Sequence, residues 1–218
     1  FTFFAEDDEI DRELLTISSE AVRFKDIPSR LVGKYLYATD HPEIQGILQA
    51  LFSDQSALNY ISEDLRADNA AELIIRNQVA YGDFAEHQQP IVDHLIDLGI
   101  LTSDSSRVQV ADGAQFLILS SLFANEGASY FHLGERGRAA ADEMVAKGWL
   151  RRESSLLTEA EASYFNYHLN NVEFSNGPAL RNKYLHGSQA NADDADAHFA
   201  VYLVALKLLI ALIIKIND

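Results

Sequence analysis

The run from His198 to Ile216 is 19 residues long and apolar almost throughout, broken by Lys207 at its centre and Lys215 near its end. A helix that is apolar on every side has to be covered by something. The run is barely long enough to span a bilayer, and a lysine at mid-depth opposes spanning. We read it as a core or dimer-interface helix and expect no membrane partner. It belongs to a longer helix, expected from about Ala192 to Ile216.

The rest of the chain is compatible with such a helix. Its 218 residues include only 4 Pro and 11 Gly, and 48% are hydrophobic, which excludes disorder and argues against a loop-rich fold. There is no Cys. That excludes a disulfide framework, a thiolate zinc site and a cysteine nucleophile, and it fits a reducing, cytoplasmic setting. The net charge is −16, which opposes non-specific nucleic-acid binding. The charge is uneven. In residues 174–218 Arg181, Lys183, Lys207 and Lys215 balance Asp193, Asp194, Asp196 and Asp218, so the first 173 residues carry the whole deficit. An anion site is therefore expected near the C-terminus.

Apolar spacing predicts helices along most of the chain. One covers residues 8–24, with Ile10, Leu14, Ile17, Ala21 and Phe24 on a stripe. Pro28 opens a second, to Tyr37. Pro42 opens a third, with Ile44, Ile47, Leu48, Leu51 and Phe52 inward. Residues 57–65 and 70–80 continue the helical pattern. Residues 87–98 form a helix with Ile91, Leu95 and Leu98 inward, ended by Gly99. A short hairpin follows: Ile100-Leu101-Thr102, a polar turn over 103–106, then Val108-Gln109-Val110. A helix ending in Gly before a short hairpin resembles the last helix and wing of a winged-helix domain. This helix carries Asp93 and Asp97 and no Lys or Arg, so a packing or protein-contact role is expected of it. Residues 115–123 and 135–147 are helical. Gly148-Trp149-Leu150 is a turn that buries its indole. Thr158-Glu-Ala-Glu161 is a capping box that opens a helix to about Val172. Pro178 stands where the first residue of a helix belongs, and Gly187 where the helix ends.

The informative stretch is Leu180-Arg181-Asn182-Lys183-Tyr184-Leu185-His186-Gly187. An Arg, a polar residue directly after it and a His five positions on are followed at once by Gly, between two apolar helices. At 3.6 residues per turn Asn182 and His186 share a face, whereas Arg181 and His186 lie roughly 140° apart. Arg181 and His186 converge if Arg181 wraps round, if the helix end unwinds, or if a second copy supplies one of them.

This stretch resembles the HEPN superfamily, in particular its Abi-like domains. The family's hallmark is Arg, four to six residues, then His, often written Leu-Arg-Asn…His-Gly. With the flanking helices the resemblance covers roughly a quarter of the chain. It implies a helical bundle, a homodimer with a composite site, and metal-independent cleavage of RNA without a cofactor. In that chemistry a neutral His186 removes the proton of a ribose 2′-OH. The alkoxide attacks the adjacent phosphorus, and a protonated His186 of a second copy serves the leaving 5′-oxygen. Arg181 grips the phosphate, and Asn182, Lys183 and Tyr184 contact substrate or position His186.

The expected architecture is mainly α, with a HEPN-type bundle at the C-terminus and a small winged-helix-like hairpin in the middle. The segments are 1–86, a helical region; 87–152, winged-helix-like; and 153–218, HEPN-like and recruiting helices from before Thr158. The leading function is an endoribonuclease of the toxin or phage-defence kind. The alternative is a non-catalytic module that dimerises or binds an antitoxin or regulatory protein. Asp193, Asp194, Asp196 and His198 form a weaker metal-site candidate, since acids also favour a helix N-terminus. We expect no metal site.

Overall fold

The computed structural model describes residues 5–6, 9–10, 23–104, 106–185 and 194–217. Among these the protein is mainly helical, with eight α-helices and seven short strands. The chain forms two compact units: residues 31–154, and residues 155–218 together with 1–30. The first unit thus draws on both of the expected segments 1–86 and 87–152.

Strands β1 (Ala5–Glu6) and β2 (Glu9–Ile10) pair antiparallel, with Ala5 opposite Ile10. The helix expected over 8–24 therefore does not begin there, and its residues 11–22 lie outside the described residues. Phe24–Asp26 is a single 3-10 turn.

In the 31–154 unit, the helix expected from Pro28 to Tyr37 is replaced by strand β3 (Tyr35–Ala38). Gly33 takes the left-handed conformation, φ 66°, and breaks the helical path before it starts. Tyr35, Leu36 and Tyr37 are all buried, as the middle of a sheet requires. Next come α1 (Pro42–Phe52), α2 (Ala70–Arg76), α3 (Gln89–Asp97), β4 (Leu101–Ser103), β5 (Val108–Val110), α4 (Gly113–Asn125), β6 (Ala128–Ser129), α5 (Glu135–Ala146) and β7 (Leu150–Glu153). The three-stranded sheet has the order β6-β3-β7, antiparallel at both pairings.

Helix α1 buries the five residues expected. The helical readings of 57–65 and 70–80 are corrected. The first is only a 3-10 turn at Ala57–Asn59, because the buried side-chain amide of Gln88 donates to the carbonyls of Ala57 and Tyr60 at 2.6 and 2.9 Å. The second stops at Arg76, where the Asn77 amide donates to Leu73 O and Val79 turns to the hairpin, its carbonyl accepting from Val108 N–H at 2.7 Å.

The expected helix, glycine and hairpin are formed. Gly99 has φ 73°, and Leu101 stands opposite Val110. Asp104 closes the turn by accepting from the N–H groups of Ser106 and Arg107 at 2.7 and 2.8 Å. These bonds hold its carboxyl below the usual carboxylate range. Trp149 is buried after Gly148, and its Nε1–H donates to Glu43 at 2.8 Å, tying β7's entrance to α1.

In the other unit, α6 (Glu159–Leu169) opens with the expected capping box. Glu161 N–H donates to Thr158 Oγ1 at 3.1 Å, and Thr158 N–H to the Glu161 carboxylate at 2.9 Å. Then follow α7 (Leu180–Leu185) and α8 (Ala195–Asn217). A small core joins Leu157, Ala162, Phe165 and Leu208, with the Phe24 ring tilted against that of Phe165, centroids 5.2 Å apart. Among the described residues before Thr158, the 3-10 turn Phe24–Asp26 joins this unit.

Gly33 also anchors the sheet. The guanidinium of Arg152 donates twice to Gly33 O, at 3.1 and 3.0 Å, and lies over the ring of Tyr130. A Cβ on Gly33 would stand 2.6 Å from Arg152 Nε. Gly33→Ala is expected to cost about 1–2 kcal/mol from backbone strain alone. That lowers Tm by roughly 2–4 °C per kcal/mol. Gly46→Ala on α1, with open space at its Cβ, is expected to raise it. Thermal melts of both variants decide, and equal melts would contradict the assignment.

Candidate functional site

The connection between α6 and α7 is fitted tightly. A Cβ on Gly177 would lie 2.2 Å from Tyr167 O, so only glycine passes there. Ala179 has φ 47°, a strained conformation for an L-residue. This left-handed residue keeps Pro178 out of the helix, which begins at Leu180 rather than at the expected proline.

With that start fixed, helical geometry sorts the motif. Leu180, Arg181 and Tyr184 face one pocket of about 430 Å³, completed by Leu169 of α6 and His198, Val201, Tyr202 and Ala205 of α8. Asn182 and Lys183 are not part of its lining. Asn182 turns the other way, its amide donating to Asn171 Oδ1 at 2.8 Å. Lys183 is exposed. Arg181 is exposed, with a long 3.5 Å contact to Asn182 Oδ1. Among the described residues the pocket lining includes no carboxylate. His186 and Gly187 lie outside the described residues, as does Asp193 of the metal-site candidate.

His198 belongs to this pocket. Its Nδ1 is 2.7 Å from the Tyr184 hydroxyl, and the two rings meet edge to face at 5.9 Å. The sequence offered no signal for this pair, because the partners are fourteen residues apart on two helices. Among the described residues no three His, Asp or Glu gather as a metal site would require.

Helices α6 and α8 run antiparallel beneath the pocket. Lys215 near the end of α8 pairs with Glu161 at the start of α6, at 2.8 Å. Lys207 donates to Tyr164 Oη at 2.9 Å. The mid-helix lysine thus has a phenol partner. Beside it, His168 is pushed below the ordinary imidazole value, first by burial and then by the Lys207 charge. Among the described residues its buried Nδ1 has no hydrogen-bond partner.

Only Leu208 of α8 is buried, so α8 is not a covered core helix among the described residues. Phe199, Tyr202, Leu209, Ile210, Ile213 and Ile214 are exposed. Residues 195–217 are long and apolar enough to cross a membrane by length and composition.

The depressed His168 gives a signed expectation. Below about pH 6.5 the unfolded chain binds a proton that the folded imidazole resists, so stability falls as pH drops through that range. His168→Gln should lessen the fall in Tm between about pH 7.5 and about pH 5.5. An unchanged fall in melts at the two pH values would contradict it.

Comparison of the chain with protein-family models, with curated proteins and with solved structures finds no match.

Proposed function

We propose that the C-terminal unit is a metal-independent endoribonuclease of HEPN type, acting in the cytoplasm in a toxin or phage-defence role. The observation that carries this reading is the setting of Arg181. In a chain of net charge −16, Arg181 lines a pocket with no acid among its described lining residues. A phosphodiester approaching there meets a cation, a phenol and an imidazole. The motif supplies the rest of the chemistry. His186 takes the 2′-OH proton, the oxygen attacks phosphorus, and Arg181 offsets charge growing on the phosphoryl oxygens. Lys183, exposed on α7, offers a contact to the neighbouring phosphate, while Asn182 holds α7 against Asn171. No metal or cofactor enters this scheme.

The protein is expected to cleave mixed RNA in EDTA, leaving 2′,3′-cyclic phosphate ends. Arg181→Ala and His186→Ala should abolish cleavage. Arg181→Ala should leave Tm within the range of an exposed substitution, about 0.5 kcal/mol. Cleavage that depends on an added divalent metal, or none at all, would overturn the reading.

A second reading, an interaction module without catalysis, is favoured by the uncovered face of α8. Phe199 and Ile214 are 59% and 60% exposed. Contiguous apolar surface of this kind marks an interface. A second copy of the chain is the first occupant we propose, and an antitoxin or regulatory protein the alternative. Sedimentation should give a dimer at micromolar concentration, and a monomer there would remove the second copy.

A further inference from the structure

We infer that the pocket beside Arg181 is a base-stacking subsite, taking one nucleobase of an RNA strand against Tyr202 while Arg181 meets that nucleotide's phosphate. The inference rests on the endoribonuclease reading and adds to it the way the strand is gripped. The pocket's volume of about 430 Å³ falls in the span of small-molecule sites, roughly 300–1,000 Å³. The rings of Tyr184, His198 and Tyr202 line it, with aliphatic side chains between them. Among its described lining residues Arg181 alone carries a permanent charge. A wall of rings suits a flat apolar face, and a cation beside it suits an anion. A nucleotide unit offers both, since each base has a π-face whatever its identity.

The rings are held in place by the fold. The Tyr184 hydroxyl is 2.7 Å from His198 Nδ1, which ties α7 to α8 at the pocket. On α8 the rings of Phe199 and Tyr202 lie 25° from parallel with centroids 6.3 Å apart, an offset pair that braces Tyr202. Among the described residues Tyr202 is still 57% exposed, so it has surface to give to a stacked base. The described lining has no amide and no carboxylate. Those groups are among the side chains that read base edges by hydrogen bonds. Stacking on rings, with Arg181 on the phosphate, tolerates any base, so the subsite grips the strand without selecting a sequence.

The test uses the whole chain and two fluorescein-labelled strands of equal length, read by fluorescence anisotropy. One is a 2′-O-methyl oligonucleotide, which has no 2′-OH to attack phosphorus and so stays intact. The other is the same backbone without bases. The parent is expected to bind the strand with bases about 5- to 100-fold more tightly. Tyr202→Ala should remove that difference and leave abasic binding unchanged, whereas a merely structural residue would weaken both strands alike. Tyr202→Phe keeps a ring and should keep the difference. Ala205→Leu, which narrows the pocket from an exposed position, should also remove it, and it serves as the readout if Tyr202→Ala melts below the parent. Arg181→Ala should weaken both strands. If the parent binds neither strand or both equally, or if Tyr202→Ala keeps the difference, the subsite is overturned, while cleavage of RNA in EDTA would leave the endoribonuclease reading standing. A base-dependent grip without cleavage would uphold the subsite and remove the endoribonuclease. Adenosine monophosphate bound as tightly as the oligonucleotide would assign the pocket to a free nucleotide and overturn the RNA subsite.

Discussion

The C-terminal unit depends on one seam, that between α6 and α8, and its polar margins fix it as much as its apolar centre. Phe165, Ala162 and Leu208 fill the middle. Glu161 caps its own helix with one carboxylate oxygen and holds Lys215 with the other. Tyr164 receives Lys207. Each fully buried aliphatic side chain contributes about 1.5–3 kcal/mol, so a core of four buried residues is a slight one. The two lysines set which face of α8 meets α6, because a rotation of the helix would strand both. The face turned away is the apolar one. Among the described residues, the same constraint that builds the pocket thus leaves the outer surface of α8 uncovered.

Much of the fold was legible where local chemistry decides it. The five inward positions of α1 follow from its spacing alone. The capping box at Thr158 and the glycine that ends α3 before its hairpin are both written in a few adjacent residues. Strand β3 was not legible. Tyr35-Leu36-Tyr37 is buried on both faces, so it lacks the alternation that marks a half-exposed strand, and a short apolar run reads equally as helix. Its partners are β6 and β7, some ninety or more residues onward. The segment after Ala57 was lost for a related reason. Its carbonyls are taken by Gln88, and no local pattern announces a partner that far off.

The site divides the same way. Arg181 stood out by its neighbours in sequence, and it faces a pocket. Asn182 and Lys183 stood out equally and lie off that pocket, since residues one and two positions on from Arg181 point elsewhere on a helix. Tyr184 was named as a substrate contact, but its bond to His198 crosses between two helices. His198 itself was weighed only with the acids beside it. Proximity in sequence grouped it with Asp194 and Asp196, whereas the fold groups it with Tyr184 and Arg181.

Trp149 is the chain's single tryptophan, and it lies in the 31–154 unit, buried and bonded to Glu43. The other unit has only phenols to report on it, among them Tyr164, Tyr167, Tyr184 and Tyr202. Indole emission therefore follows the loosening of one unit and is blind to the other. Near-ultraviolet tyrosine signals sum both units, because Tyr35, Tyr37, Tyr60, Tyr81 and Tyr130 lie in residues 31–154. The indole is thus a label for one unit alone, and an indole denaturation curve that does not coincide with the tyrosine curve would resolve two cooperative units without any engineered probe.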